Sequence, residues 1–82
     1  MIQHMTPSSA ADEELQGRVG RFLAERHVPA LRRLKVEARD GTVTLRGRVG
    51  TFYEKALGAR CCQRVAGVRR IVDAVSVVER GS

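Results

Sequence analysis

The spacing of apolar residues predicts a helix near the start of the chain. Four apolar residues recur at i, i+4, i+7 and i+8, which places them on one helical face: Leu15, Val19, Phe22 and Leu23. Ser9 followed by Asp12 has the spacing of a capping box. Pro29 is expected to stop the helix. Gly17 and Gly20 weaken it, and we interpret them as points of close packing against a neighbour.

A period of two predicts a β-hairpin in the next segment. Residues 34–38 and 42–46 alternate between apolar and polar, and Asp40-Gly41 between them is typical of a two-residue hairpin turn. Folding about this turn gives the pairs Leu34 with Gly47, Val36 with Leu45, and Ala38 with Val43. Because a shift by one residue would break every pair, the register is well specified.

A second helix and a last strand follow the hairpin. Thr51 has the position of an N-cap, and Glu54 at the third helical position completes a capping-box pattern. Gly67 is expected to end the helix. The apolar stripe of the helix is Leu57, Cys61 and Val65, and that of the strand is Ile71, Val75 and Val77.

This order of elements predicts an α+β fold of the form αββαβ, with two helices packed on one face of a three-stranded mixed sheet. The strand–helix–strand unit should cross over right-handed, so the last strand runs parallel to the second. The pattern leaves open whether these two strands are neighbours or flank the first. Residues 1–8 are expected to be a flexible lead-in, 9–78 the single domain, and 79–82 a frayed tail.

Composition then narrows the classes of function. The 82 residues suffice for one domain with a thin core and leave little room for a deep catalytic cavity. The net charge of +6 favours an anionic partner, which could be nucleic acid, a membrane surface or an acidic protein. We see neither a signal peptide nor the roughly 18 apolar residues of a membrane span. The expectation is a cytoplasmic protein, with peripheral membrane association open.

Two blocks of residues resemble the BON domain family of bacterial proteins. The blocks are Asp40, Gly41, Val43, Leu45, Gly47 and Val49, followed by Gly67, Val68, Ile71, Val75 and Val77. The helix over 12–26 has the family's usual place. The resemblance implies a non-catalytic module that associates with phospholipid membranes or with envelope and secreted proteins. BON domains occur in proteins such as those of the response to osmotic stress. The residues Asp40, Gly41, Gly47 and Gly67 are the signature of the fold and carry little information about function.

The candidate binding surface is basic. The hairpin register directs four cations to the uncovered face of the sheet, two arginines begin the last strand, and one phenylalanine lies away from the buried helical stripe. These candidates are Lys35, Arg39, Arg46, Arg48, Arg69, Arg70 and Phe52. The alternatives are a solvated charged face and, for the phenylalanine, a residue at the edge of the core.

Nothing in the sequence indicates an enzyme, a metal or a cofactor. Cys61 lies on the buried stripe with Cys62 beside it, so we expect small core residues. His4 and His27 have no catalytic arrangement around them. The leading hypothesis is a binding module for anionic phospholipid surfaces or a protein partner. The alternatives are a nucleic-acid-binding domain, against which the lack of stacking aromatics counts, and a module that self-associates through its sheet edges.

Overall fold

The computed structural model describes residues 9–78, and in this part of the chain three helices and three strands follow one another. They are α1 (Ala10–Ala24), α2 (Pro29–Arg32), β1 (Lys35–Arg39), β2 (Thr42–Val49), α3 (Phe52–Gln63) and β3 (Arg70–Val77). The predicted α+β order is confirmed, with α2 as an added element. The expected lead-in over 1–8, with His4, and the expected tail over 79–82 lie outside the described residues.

The sheet has the order β1-β2-β3, so the second and third strands are neighbours. β1 pairs with β2 antiparallel in the predicted register, in which Val36 lies opposite Leu45 and Ala38 opposite Val43. β3 runs parallel to β2 from Thr42 onwards. This topology answers the question that the sequence left open, and it makes β2 the central strand.

The core lies between the sheet and the helices. Its largest fully buried side chains come from all three helices and from β2: Val19, Leu23, Leu31, Val43, Leu45 and Cys62. The aliphatic stripes predicted from the sequence therefore face inward. Burying one such aliphatic side chain stabilises the fold by about 1.5–3 kcal/mol.

The short helix α2 corrects the prediction for Pro29. α1 ends at Ala24, and Pro29 begins α2 instead of stopping α1. A proline fits the first helical turn because its missing N–H has no partner there. Leu31 of α2 is only 1% exposed and packs against α3, where a Cβ added at Gly58 would lie 3.4 Å from Leu31 Cδ2. A single helical turn thus closes one end of the core.

The end of α3 corrects the prediction for Gly67. The helix ends at Gln63 with Arg64 as its cap, so Gly67 lies beyond it in the turn that leads to β3. Gly67 has φ +99°, and a Cβ there would lie 3.3 Å from Leu15 Cδ1 of α1. The glycine is needed for this turn and not for the helix cap.

Side chains of α1 bind the free edge of β1. The Ala38 N–H donates to Gln16 Oε1 at 3.2 Å, and the Asp40 N–H donates to Asp12 Oδ1 at 2.9 Å. Asp12 also completes the predicted capping box with Ser9. The hydrogen bond from Asp40 lowers the pKa of Asp12 below its ordinary value. Two N–H groups that an added strand could use are therefore already occupied.

The free edge of β3 is occupied in a similar way at Val75. The Val75 N–H donates to Asp73 Oδ1 at 3.1 Å, and Lys55 Nζ donates to the Val75 carbonyl at 2.6 Å. Lys55 also pairs with Asp73 at 2.9 Å. The backbone groups of Val75 are thus bound by side chains on the edge where another strand would dock.

A close approach of two backbone segments occurs at Gly47. Its φ is +140°, and a Cβ there would lie 3.1 Å from Leu34 Cδ2. By contrast, a Cβ at Gly20 would meet nothing within 4 Å, and one at Gly17 would meet only Arg21 of the same helix. The interpretation of Gly17 and Gly20 as points of close packing is therefore wrong.

These two environments predict opposite effects of the same substitution. Gly47→Ala should lower the free energy of unfolding by about 1–3 kcal/mol, because alanine is strained at this φ. Gly20→Ala should raise it by about 1 kcal/mol, because alanine favours the helix and has room there. Urea unfolding followed by circular dichroism measures both. If Gly47→Ala left the free energy of unfolding unchanged, the proposed strain and close approach at Gly47 would be contradicted.

The contacts of Asp12 predict a pH-dependent contribution to stability. Because its pKa is lower in the folded state, the carboxylate stabilises the fold above its ordinary pKa of about 3.9, and this contribution is lost as the pH falls through the lowered value. Asp12→Asn should lower the melting temperature at pH 7 and approach wild type as the pH falls below about 3.9. Asp12→Ala, which also loses the acceptor for Asp40, should stay below wild type at both pH values. A constant difference for Asp12→Asn from pH 7 to pH 2 would contradict this.

Candidate anionic-surface binding site

The face of the sheet opposite the helices is open to solvent. The side chains on this face come from alternate residues of the three strands: Lys35, Glu37, Arg39, Thr42, Thr44, Arg46, Arg48, Arg70, Val72, Ala74 and Ser76. All are exposed except the two threonines, which are half-buried. Five of these side chains are basic and one is acidic, so the face has a net positive charge.

The structure separates the candidate residues between two ends of the sheet. β2 has eight residues, so its ends lie roughly 23 Å apart at about 3.3 Å per residue. At the end where β2 and β3 finish, which we call the carboxyl end, lie Lys35, Arg46, Arg48 and Phe52. At the opposite end, which we call the hairpin end, lie Arg39, Arg69 and Arg70. The six cations were predicted as one basic surface with Phe52 as a separate candidate, and the structure places the cations at two ends of the sheet.

The arginines of the hairpin end lie at the turn between β1 and β2. The backbone N–H groups of Arg69 and Arg70 both donate to the Gly41 carbonyl, at 2.8 and 3.2 Å. The Arg69 side chain lies across the turn, where a Cβ at Gly41 would collide with it. Arg39 attracts the carboxylate of Asp12 electrostatically. This end therefore has acidic groups beside its basic ones.

Of the cations Lys35, Arg46 and Arg48 at the carboxyl end, one has an ion-pair partner among the described residues. Arg46 pairs with Glu37 across β1 and β2 at 3.4 Å, with both side chains more than half exposed. Within residues 9–78, the side chains of Lys35 and Arg48 make neither a hydrogen bond nor an ion pair. Their charge is therefore available to an external anion.

Two aromatic side chains are exposed where α3 begins, close to the end of β2. Phe52 is 69% and Tyr53 is 71% exposed, which confirms that Phe52 lies away from the buried stripe. Thr51 caps this helix, since its Oγ1 accepts from the Glu54 N–H at 3.0 Å. Glu54 does not complete the capping box, because its Oε1 accepts from the Gly50 N–H at 2.9 Å instead. The short link after β2 keeps both rings near the carboxyl end.

Further residues of the carboxyl end were missed from the sequence. An open cavity of about 430 Å³ lies here, with Arg33, Arg48 and Glu54 among its polar lining and Pro29, Val49 and Val78 among its apolar lining. Val78 is 45% exposed. Arg33 was missed because residues 29–33 were read as a connection after a helix stop. The predicted contact between Leu34 and Gly47 was the one signal that could have placed Arg33 beside β2.

The two cysteines and His27 are the remaining candidates for chemistry among the described residues. Cys61 and Cys62 are buried as predicted, and burial raises the pKa of the Cys62 thiol to about 12. Cys62 is therefore a neutral thiol at pH 7. His27 is exposed in the turn between α1 and α2, where it has φ 60°. Among the described residues, no group of three or more His, Cys, Asp or Glu side chains could hold a metal ion.

None of the helices in the described part of the chain combines the length and apolar character that crossing a bilayer requires. The described residues form a small α+β domain that has an open sheet face with more basic than acidic side chains and an exposed aromatic pair.

The comparisons with known proteins agree with this class. A family model for the BON domain matches residues 11–79, and the chain belongs to the BON domain family. BON domains are non-catalytic binding modules that are linked to phospholipids or to protein partners. A search of curated proteins found no match for this chain.

Proposed function

We propose that this chain is a peripheral binding module for anionic phospholipid surfaces and that it docks through its carboxyl end. The observation that supports this is that the exposed Phe52–Tyr53 pair lies at the same end of the sheet as Lys35 and Arg48, two cations with no ion-pair partner within residues 9–78. The family's link to phospholipids supports the same class of ligand. We expect the module to act from the cytoplasmic side of a membrane.

The two kinds of side chain would contribute separately to binding. Each lysine or arginine close to an anionic surface contributes about 1 kcal/mol, and salt weakens that attraction. Exposed aromatic rings favour the boundary between headgroups and acyl chains, where salt has little effect. A surface that holds both groups binds anionic membranes more strongly than charge alone would allow.

The two alternatives have less support in the structure. Binding of single-stranded nucleic acid commonly uses aromatic rings on which bases stack, and the described strands contribute none to the open face. Self-association through the sheet edges would compete with the side chains that already bind Ala38, Asp40 and Val75. The basic charge still permits non-specific nucleic-acid binding, so the test includes it.

Vesicle flotation with a pair of charge-matched variants tests the proposed docking end. Lys35→Glu plus Arg48→Glu should weaken binding to vesicles that contain phosphatidylglycerol by roughly tenfold or more, because two attractions become repulsions. The variant Arg64→Glu plus Arg70→Glu has the same net charge, with both changes at exposed positions away from the carboxyl end. It should lose much less affinity for the vesicles. Circular dichroism checks that both variants fold.

The same assay separates the aromatic contribution and the alternatives. Phe52→Ser plus Tyr53→Ser should abolish the binding that survives at 0.5 M salt. Equal losses in the two charge variants would show that overall charge, and not this end, attracts the surface. If wild type fails to float even at low salt, the lipid proposal is wrong. Retention of DNA at moderate salt would then favour the nucleic-acid alternative, and a concentration-dependent mass would favour self-association.

A further inference from the structure

We infer that the cavity at the carboxyl end is a site for one phosphate group of a lipid headgroup, held between Arg33 and Arg48. This inference rests on the proposed function and narrows it from a charged surface to a defined ligand site. The fold assigns the two arginines to one cavity, although they are separated by the whole of β1 and most of β2.

Gly47 brings these two arginines together. Because Gly47 has no side chain and has φ +140°, β2 passes close to the end of α2, and a Cβ there would lie 3.6 Å from the Arg33 carbonyl oxygen. Arg33 is held in turn by its backbone N–H, which donates to the Ala30 carbonyl at 3.2 Å. Arg48 is the next residue of β2. The backbone on both sides of the cavity is thus set by the fold.

The charges of the cavity favour an oxyanion. Within residues 9–78, neither Arg33 nor Arg48 has a carboxylate partner. Guanidinium groups present planar sets of N–H donors that match phosphate oxygens. Among the described residues of the lining, Glu54 is the one acidic group, and its Oε1 already accepts from the Gly50 N–H at 2.9 Å. Two positive charges against one leave the lining positive.

The apolar part of the cavity favours a phosphate ester over free phosphate. Pro29, Val49 and Val78 contribute apolar surface next to the arginines. The volume of about 430 Å³ lies within the range of about 300–1,000 Å³ that small-molecule sites have. A bare phosphate would leave the apolar wall in contact with water. The glycerol and first acyl carbons of a lipid would cover it, and the exposed Phe52 lies at the same end of the sheet.

An NMR titration at constant ionic strength tests the site. The probe is dihexanoyl phosphatidic acid, kept below its micelle concentration so that single molecules bind. It should shift the amide signals of Arg33, Val49, Gly50 and Val78. Arg33→Gln and Arg48→Gln should each raise the Kd by about tenfold, because each removes a charge-assisted hydrogen bond. Arg70→Gln, which changes the charge equally at the hairpin end, should leave the Kd unchanged.

A variant that should bind more tightly gives a test whose expected result cannot come from misfolding. Glu54→Gln removes the one negative charge of the lining but keeps an oxygen that accepts from Gly50. The Kd for the short-chain lipid should therefore improve by roughly threefold. Weaker or unchanged binding by a folded Glu54→Gln variant would contradict the placement of the phosphate beside Glu54.

Two controls identify the ligand and separate failure of the cavity site from failure of the proposed function. Glycerol 3-phosphate should bind more weakly than the short-chain lipid, and equal affinities would overturn the assignment to a lipid. If the cavity amides do not shift although wild type floats with anionic vesicles, the site is wrong and the proposed function stands. If neither flotation nor shifts are observed, the proposed function is wrong as well.

Discussion

The hairpin turn at Asp40–Gly41 is the constraint on which the rest of the molecule depends. Its backbone binds three residues from two other parts of the chain. The Asp40 N–H donates to Asp12 of α1, and the Gly41 carbonyl accepts from Arg69 and from Arg70, the first residue of β3. The turn also determines the β1–β2 register, and the register decides which side chains face the helices. A slip of one residue would bury the cations and expose the aliphatic core.

The direction of β3 then gives the two ends of the sheet different characters. Because β3 runs parallel to β2, both strands begin at the hairpin end, where arginine backbone and side chains complete the turn. Both finish at the carboxyl end, where the chain has just left β2 and α3 begins. Phe52 and Tyr53 are exposed at this same end, where Lys35 and Arg48 have no ion-pair partner among the described residues. The surface that we propose for binding therefore follows from strand direction.

Features set by neighbouring residues could be predicted from the sequence, and features set by distant contacts could not. The hairpin register and the helical stripes depend on local periodicity, so Val36–Leu45 and Ala38–Val43 pair as predicted. Strand order depends on where α3 returns the chain, and α2 depends on packing of Leu31 against Gly58. The position of Arg33 follows from that packing. For the same reason, one predicted basic surface became two ends with different surroundings.

Docking through the carboxyl end is the central claim, and line broadening by spin-labelled lipid tests it most directly. Anionic nanodiscs with a spin label at the headgroup broaden only the amide signals that approach the membrane. If the carboxyl end docks, the signals of residues 48–53 and Val78 should broaden, and those of residues 40–42 and 69–70 should stay sharp. Broadening centred on the hairpin turn, or spread equally over both ends, would contradict it.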